Sequence, residues 1–443
     1  MANRYLRFVP VAEHRALVGR AAAIAPAAAS FTMLPQPDPP LTARDSAVFL
    51  MQLAAEIEHA LLVQYLYAAF SLDRAANGVP ATAFRNIFAT AKEEMGHLLT
   101  VQNVLLALGS SASLFRENMP LDTAFYPFPF MLQPVSKSSL AKYVLAEMPD
   151  GGLDEPKLAQ VKADAGVQGS VTVNQVGHLY RAIIEFLQAA NDSIFDPALV
   201  TLQGDRTDWR ASSVMVSRDG MQQPIDVGPG VFVSPITTRA EALDALRIIA
   251  LQGEGAAGSP GPESHFRRFL AIYDAAVVAP GPIALPVATH PNTSVTPEPG
   301  ELGGAITHPV SRLWAQLLNG RYRMLLACLG HYLATDRGVN GRSDLATFAF
   351  DEMSNIARLS THLMTLDRTT VPADGKAGPP FEMPYTLLQP VKPASRWRMQ
   401  LDLIEDSSLL KARIVAQHGD PGNVLDDLSD DTARAAMIQG FIV

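Results

Sequence analysis

Glu94 and His97 stand three residues apart inside a long stretch of helical periodicity, so on an α-helix both side chains leave from one face. A carboxylate and an imidazole at that spacing offer one hard oxygen and one nitrogen donor to a single metal ion. Glu58, on the preceding stretch, falls in the apolar register set by Ala54, Leu61, Leu62 and Tyr65. Burying an acid there is costly unless something compensates. Iron or manganese is the compensation that best suits two acids and an imidazole converging in a core, and such a ligand set leaves positions open for dioxygen. Tyr65, seven residues after Glu58, is the candidate catalytic residue, as a hydrogen-bond partner of the ligands or a redox-active neighbour; Tyr67 is its alternative. Glu56 is turned roughly 200° from Glu58 and is expected to face solvent.

Two helices must position these groups. Leu50, Leu53, Ala54, Ile57, Leu61, Tyr65 and Ala68 recur at three- and four-residue spacing and predict a helix from about residue 43 to Gly78-Val79-Pro80. Phe84, Ile87, Phe88, Ala91, Met95, Leu98, Val101 and Leu105 predict a second over 82–108, stopped by Gly109. A short turn between them predicts antiparallel packing. Ahead of them, residues 1–42 end in Pro35-Gln36-Pro37-Asp38-Pro39-Pro40, an extended lead-in that cannot be helical. Residues 110–170 are rich in proline and aromatics, with a short helix over Leu140–Glu147; the stretch Phe125–Met131 is a candidate wall for a substrate entrance. A third long helix is predicted over 172–191, and a hairpin plus a strand over 211–236, on Ser213–Ser217, Ile225–Val227 and Val231–Val233. A fourth helix is predicted from Thr238, broken between Gly253 and Pro262 and resuming at Glu263. Residues 279–304 read as a Pro/Gly-rich linker, and helices follow at about 309–336, 343–367, 396–418 and 423–440.

The whole chain narrows the classes. Its 443 residues suffice for two or three domains, and a net charge of −9 leaves no basic stripe for nucleic acid. No apolar run reaches the roughly 18–20 residues of a membrane span. Cys328 is the single cysteine, so neither an intrachain disulfide nor a cysteine-rich metal site can form. The Ala-rich N-terminus, with Arg15 and Arg20 among prolines, fits a secretory signal poorly, and a cytoplasmic location is expected.

Glu58 with Tyr65, followed by Glu94-x-x-His97 on the next helix, resembles the first half of the ferritin-like superfamily. The fuller wording, Glu56-Ile57-Glu58-His59-Ala60 and Glu93-Glu94-Met95-Gly96-His97-Leu98, is similar to one branch of it. That branch contains the ferritin-like domain of the violacein-pathway iminophenylpyruvate dimer synthase. Gln252-Gly253-Glu254-Gly255, His265-Phe266-Arg267-Arg268-Phe269 and Ala377-Gly378-Pro379-Pro380-Phe381-Glu382 extend the resemblance, which covers residues 43–275 and continues more weakly beyond.

The resemblance implies an all-α protein: a ferritin-like four-helix bundle over 43–278 with a small β-hairpin insertion, the linker over 279–304, and a helical C-terminal domain over 305–443. It implies a second helix pair carrying one carboxylate on the third helix and a Glu and a His on the fourth. The third helix offers His178 and Glu185, seven apart on one face; the fourth offers Glu254 and His265, split by the Gly-Pro segment. Two iron ions are expected, with manganese as the alternative, in an oxidoreductase that activates dioxygen on a small metabolite, and a homo-oligomer is compatible. Three alternatives stay open: an imine-coupling synthase like the violacein-pathway enzyme, a ferroxidase or iron-binding protein, and a metal-free scaffold. In the last third His331, Glu352 and His362 match no metal spacing and are expected to be solvated or capping.

Overall fold

The computed structural model describes residues 41–73, 77–116, 118, 128–167, 175–211, 230–253, 263–279, 281–294, 302–384 and 386–442, and the backbone of two short strands. These strands, β1 (Leu6–Val9) and β2 (Leu34–Pro37), pair antiparallel, with Leu6 opposite Pro37 and Val9 opposite Leu34. All else of regular structure among the described residues is helical.

Helix α1 (Ala43–Phe70) starts at Thr42, whose hydroxyl caps the Asp45 N–H, and α2 (Val79–Ala107) opens with Pro80 in its first turn. They pack side by side as the first half of a bundle. Helix α3 (Lys137–Glu147) begins in a reciprocal capping box between Ser136 and Ser139 and stops before Pro149. Helix α4 (Glu155–Ala165) covers it, and α5 (Val176–Ala189) and α6 (Arg239–Gly253) form a pair lying over α1 and α2. Helix α7 (His265–Val277), capped by Ser264, packs along α3 and against α2.

The third bundle helix is therefore α3, not the longer segment after residue 172. Almost every residue of α3 from Ser139 to Glu147 is buried, so it shows no polar face and no amphipathic period for the sequence to display. The predicted stretch of 172–191 and the part of the fourth helix before Gly253 become the α5–α6 pair. The predicted hairpin over 213–227 lies outside the described residues. Val231–Val233 are described and run as extended chain across α2, so close that a Cβ on Gly96 would meet the Phe232 carbonyl oxygen at 2.6 Å.

Four further helices follow: α8 (Pro309–Tyr332), α9 (Arg342–Leu363), α10 (Pro393–His418) and α11 (Asp431–Gln439). Both α9 and α10 pack on α8, and the buried apolar side chains of both halves of the chain join in one cluster. Residues 281–294 are held on several sides: Leu285 donates to the Ser71 carbonyl at 2.8 Å, Ala288 to Lys376 at 2.9 Å and His290 to Leu132 at 2.7 Å. Backbone groups that a free linker would leave to water are paired here with protein.

Two expectations change. Glu352 is neither solvated nor a cap: it is fully buried between Arg321, at 3.2 Å, and Arg434. His331 is buried edge-on against Trp397, whereas His362 is half-buried against Trp314. Helix α1 is also long and apolar enough to cross a membrane, but most of that stretch is buried within the protein and carries Glu58 and His59 in its middle.

Candidate metal centre

The bundle interior brings five potential donors into two triads. Glu58, Glu94 and His97 form one; Glu94, Glu147 and His265 form the other, with donor atoms in each triad within 4.8 Å of one another and every residue buried. Glu94 belongs to both. His97 Nδ1 lies 2.9 Å from Glu94 Oε2 and 3.4 Å from Glu58 Oε2, and His265 Nδ1 lies 3.0 Å from Glu94 Oε1 and 3.8 Å from Glu147 Oε1. Glu58 Oε2 and His265 Nδ1 are buried without a well-aligned hydrogen bond. Orphaned donor atoms aimed at one space, in a set of hard oxygens with one nitrogen per triad, fit a pair of iron or manganese ions.

The groups behind the donors fix their chemistry. His97 Nε2 meets Gln252 Oε1 at 2.9 Å, and the Gln252 amide nitrogen donates to the Gly230 carbonyl at 3.1 Å, so the oxygen must accept from the imidazole. His265 Nε2 lies 3.0 Å from Glu93 Oε2, a carboxylate that also takes the Arg268 guanidinium at 2.7 Å. Both rings thus carry their proton on Nε2 and turn Nδ1 toward the carboxylates, the arrangement that presents a bare nitrogen to a metal. The terminal acids are held in the same manner. Tyr65 donates to Glu147 Oε1 at 2.5 Å, and the Tyr180 hydroxyl donates to Glu58 Oε1.

Of the residues singled out from sequence, Glu58, Glu94, His97 and His265 converge, with Tyr65 beside them. His178 and Glu185 do not. Helix α5 turns Tyr180 toward Glu58, and His178, two residues earlier and so roughly 200° around the helix, points instead to Asp150 at 2.9 Å. Glu185 is half-buried further along α5, in neither triad. Glu254 lies outside the described residues. Tyr67 donates to the Ala288 carbonyl, away from the donors.

Sequence reasoning missed Glu147, Tyr180, Glu93 and Gln252 in these roles. Glu147 closes a helix buried on nearly all sides, so no polar face in the sequence sets its inward side apart.

Burial and the Glu94 charge push the Glu58 carboxyl above its usual range, with His97 pulling back. Burial alone would also raise Glu94, but His265 and His97 outweigh it and hold that carboxyl well below the usual range. Burial would lower His97, yet Glu94 and Glu58 push it up to about 10, and Glu94, Glu147 and Glu93 likewise raise His265. Without metal, the site therefore binds protons more tightly than the unfolded chain does. The His97 contribution is complete below 6.5 and is lost as pH climbs toward about 10; the Glu58 contribution fades in the same direction. The Glu94 contribution is present above 4.5 and is lost only in acid. Metal-free protein is thus expected to be most stable near pH 4.5, to lose stability above that as Glu58 ionises and more steeply above 6.5 as His97 follows, read as its thermal unfolding midpoint across pH in chelator. A midpoint that rises from pH 6.5 to 9 would contradict these assignments.

As lined by the described residues, a narrow cavity of about 10 Å³, room for about one water, reaches the donors, with Leu61, Val176, Tyr180, Ile249, Ala250 and Gly253 among its walls. The α5–α6 pair supplies most of them. A Cβ on Gly253 would sit 3.0 Å from Glu147 Oε2, so a side chain there would crowd that carboxylate.

The chain is 25% identical over 392 residues to a dichlorochromopyrrolate synthase of Lentzea aerocolonigenes, covering 78% of this chain and 36% of that protein. It is 25% identical over 393 residues to a 2-imino-3-(indol-3-yl)propanoate dimerase of Chromobacterium violaceum, covering 79% of this chain and 35% of that one. The chain thus spans about a third of the length of these relatives. A solved ferritin-like protein from Caulobacter vibrioides is similar over 71% of this chain and 96% of its own, at 20% identity and a TM-score of 0.43. The family model described as Ferritin-like matches residues 51–274, a span that begins inside α1, ends inside α7 and contains all five donors, and the chain belongs to the ferritin-like family.

Proposed function

We propose that the protein is a non-haem oxidoreductase of secondary metabolism that uses a pair of iron ions, or manganese in their place, to activate dioxygen on a small metabolite. The observation that carries this is the pair of buried triads sharing Glu94. The metal pair, when bound, supplies the electrons and open coordination positions for dioxygen chemistry. Glu58 and His97 would hold one ion, Glu147 and His265 the other, and Glu94 both. Tyr180 occupies Glu58 Oε1 and leaves Oε2, the oxygen facing His97, free to ligate, while Tyr65 donates to Glu147 Oε1, the oxygen nearest His265, and orients that carboxylate. Leu61, Val176, Ile249 and Ala250 make the approach to the donors apolar and water-poor, and Tyr180 is the polar group among them.

The test is elemental analysis of protein produced in iron- and manganese-replete medium, followed by dioxygen electrode measurements. Two ions per chain with dioxygen uptake are expected. Folded protein that takes up neither metal after reconstitution would rule the proposal out.

The names of the two relatives, one denoting a dimerase of a 2-imino acid, favour a second possibility, with the matched region spanning 78–79% of this chain. Here the cavity walls would hold imines for coupling. Coupling activity that survives complete chelation of metal would select it.

A further inference from the structure

The two outer partners of the imidazoles meet at one residue, Gly230, through the two peptide groups that flank its Cα. The Gly230 N–H donates to Glu93 Oε1 at 2.9 Å, and the Gly230 carbonyl accepts from Gln252 Nε2 at 3.1 Å. Glu93 in turn takes the His265 Nε2 proton at 3.0 Å, and Gln252 Oε1 takes that of His97 at 2.9 Å. The chain that follows Gly230 is held to α2: the Phe232 carbonyl lies against Gly96, and Asn103 Nδ2 donates to the Ser234 carbonyl at 2.8 Å. A group that orients one ligand of each triad through one hydrogen bond on either side cannot shift without disturbing both rings.

We propose that the backbone of Gly230 is a shared positioning element that sets the Nε2-protonated form and the orientation of both His97 and His265, so that the two metal positions are prepared together. The proposal rests on the assignment of the site as a two-metal centre. It gives Gln252 a role at the far ion, His265's, which it does not contact directly through any ligand.

Mn(II) binding, followed by the electron paramagnetic resonance signal of the free ion, tests this without any turnover. In a His97→Ala protein only the Glu94, Glu147 and His265 position remains, and Gln252 no longer has a ligand to orient. Adding Gln252→Glu there replaces a donor to the Gly230 carbonyl with an acceptor and cuts the link. Loss of an outer partner typically weakens metal binding by about 10–100-fold, and a weakening of about tenfold or more at the remaining position is expected. The added negative charge by itself would tighten cation binding, so charge cannot imitate that result. Gln252→Ala, which removes the same bond without a charge, carries the same expectation and decides the matter if the first variant does not fold. A dissociation constant within twofold of the His97→Ala parent would overturn the shared support while leaving the two-metal centre intact. Wild-type protein that binds no Mn(II) would overturn both.

Discussion

Glu94→Ala is expected to empty both metal positions at once. Tight protein metal sites gain roughly 10–16 kcal/mol from about four ligands, or about 3 kcal/mol each, so losing one shared ligand weakens each ion by about 100-fold. Glu147→Ala, by contrast, removes a donor from the His265 triad alone and should leave one ion bound at Glu58, Glu94 and His97. The Glu94→Ala protein should still fold. The largest charge that raises both imidazoles goes with the carboxylate, while Glu58 still faces His97 and Glu147 and Glu93 still face His265, so each ring keeps an acidic neighbour. Metal counting on the two purified variants, with circular dichroism as the control for folding, gives the comparison. A Glu94→Ala protein that keeps one ion at wild-type affinity would refute the sharing.

The largest stability loss is expected far from the metal centre, at Glu352→Ala. Glu352 and Arg321 are fully buried, and Arg321 also bonds Asp431 at 2.8 Å, which Lys411 meets at 2.7 Å. Arg434 is bound to the same Glu352 oxygen, and Asn355 Nδ2 donates to the other at 3.2 Å. Removing the acid leaves two buried guanidinium groups short of a partner, and breaking a buried pair in this way costs about 3–5 kcal/mol. Urea unfolding followed at α8 and α9 should show that loss. A change below 1 kcal/mol would mean that water or neighbouring acids replace the carboxylate.

The sequence displayed the first half of the centre because α1 and α2 carry their acids on faces otherwise apolar. Glu58, Glu94 and His97 break a visible register, and a broken register is a local signal. Glu147 breaks none: α3 is buried on nearly all sides, and its last residue looks like the polar end of a short helix. His265 was legible as a residue but not as a partner, because it enters from the first turn of α7 just after the Ser264 cap, where no intact Glu-x-x-His can form. His178 drew attention through its place on a longer helix, yet α5 presents Tyr180 to the site instead. Pairings across the fold, such as Glu93 with His265 or Gln252 with His97, are set by how helices far apart in sequence dock, and helical period carries no information on that.

Consecutive residues of α1 look in opposite directions. Glu58 turns to the candidate metal centre, while His59, which burial and then Arg116 keep neutral, pairs through Nε2 with the Tyr322 hydroxyl of α8. Tyr67, two turns on, reaches into the 281–294 segment. The helix is a party wall with a tenant on each side. Recombination between relatives that splits the chain anywhere from 281 to 294 would leave a mismatched tenant against His59 and Tyr67. An exchangeable unit of this chain therefore has to carry α1 together with α8 and the strap between them, whatever is changed on the side of the two triads.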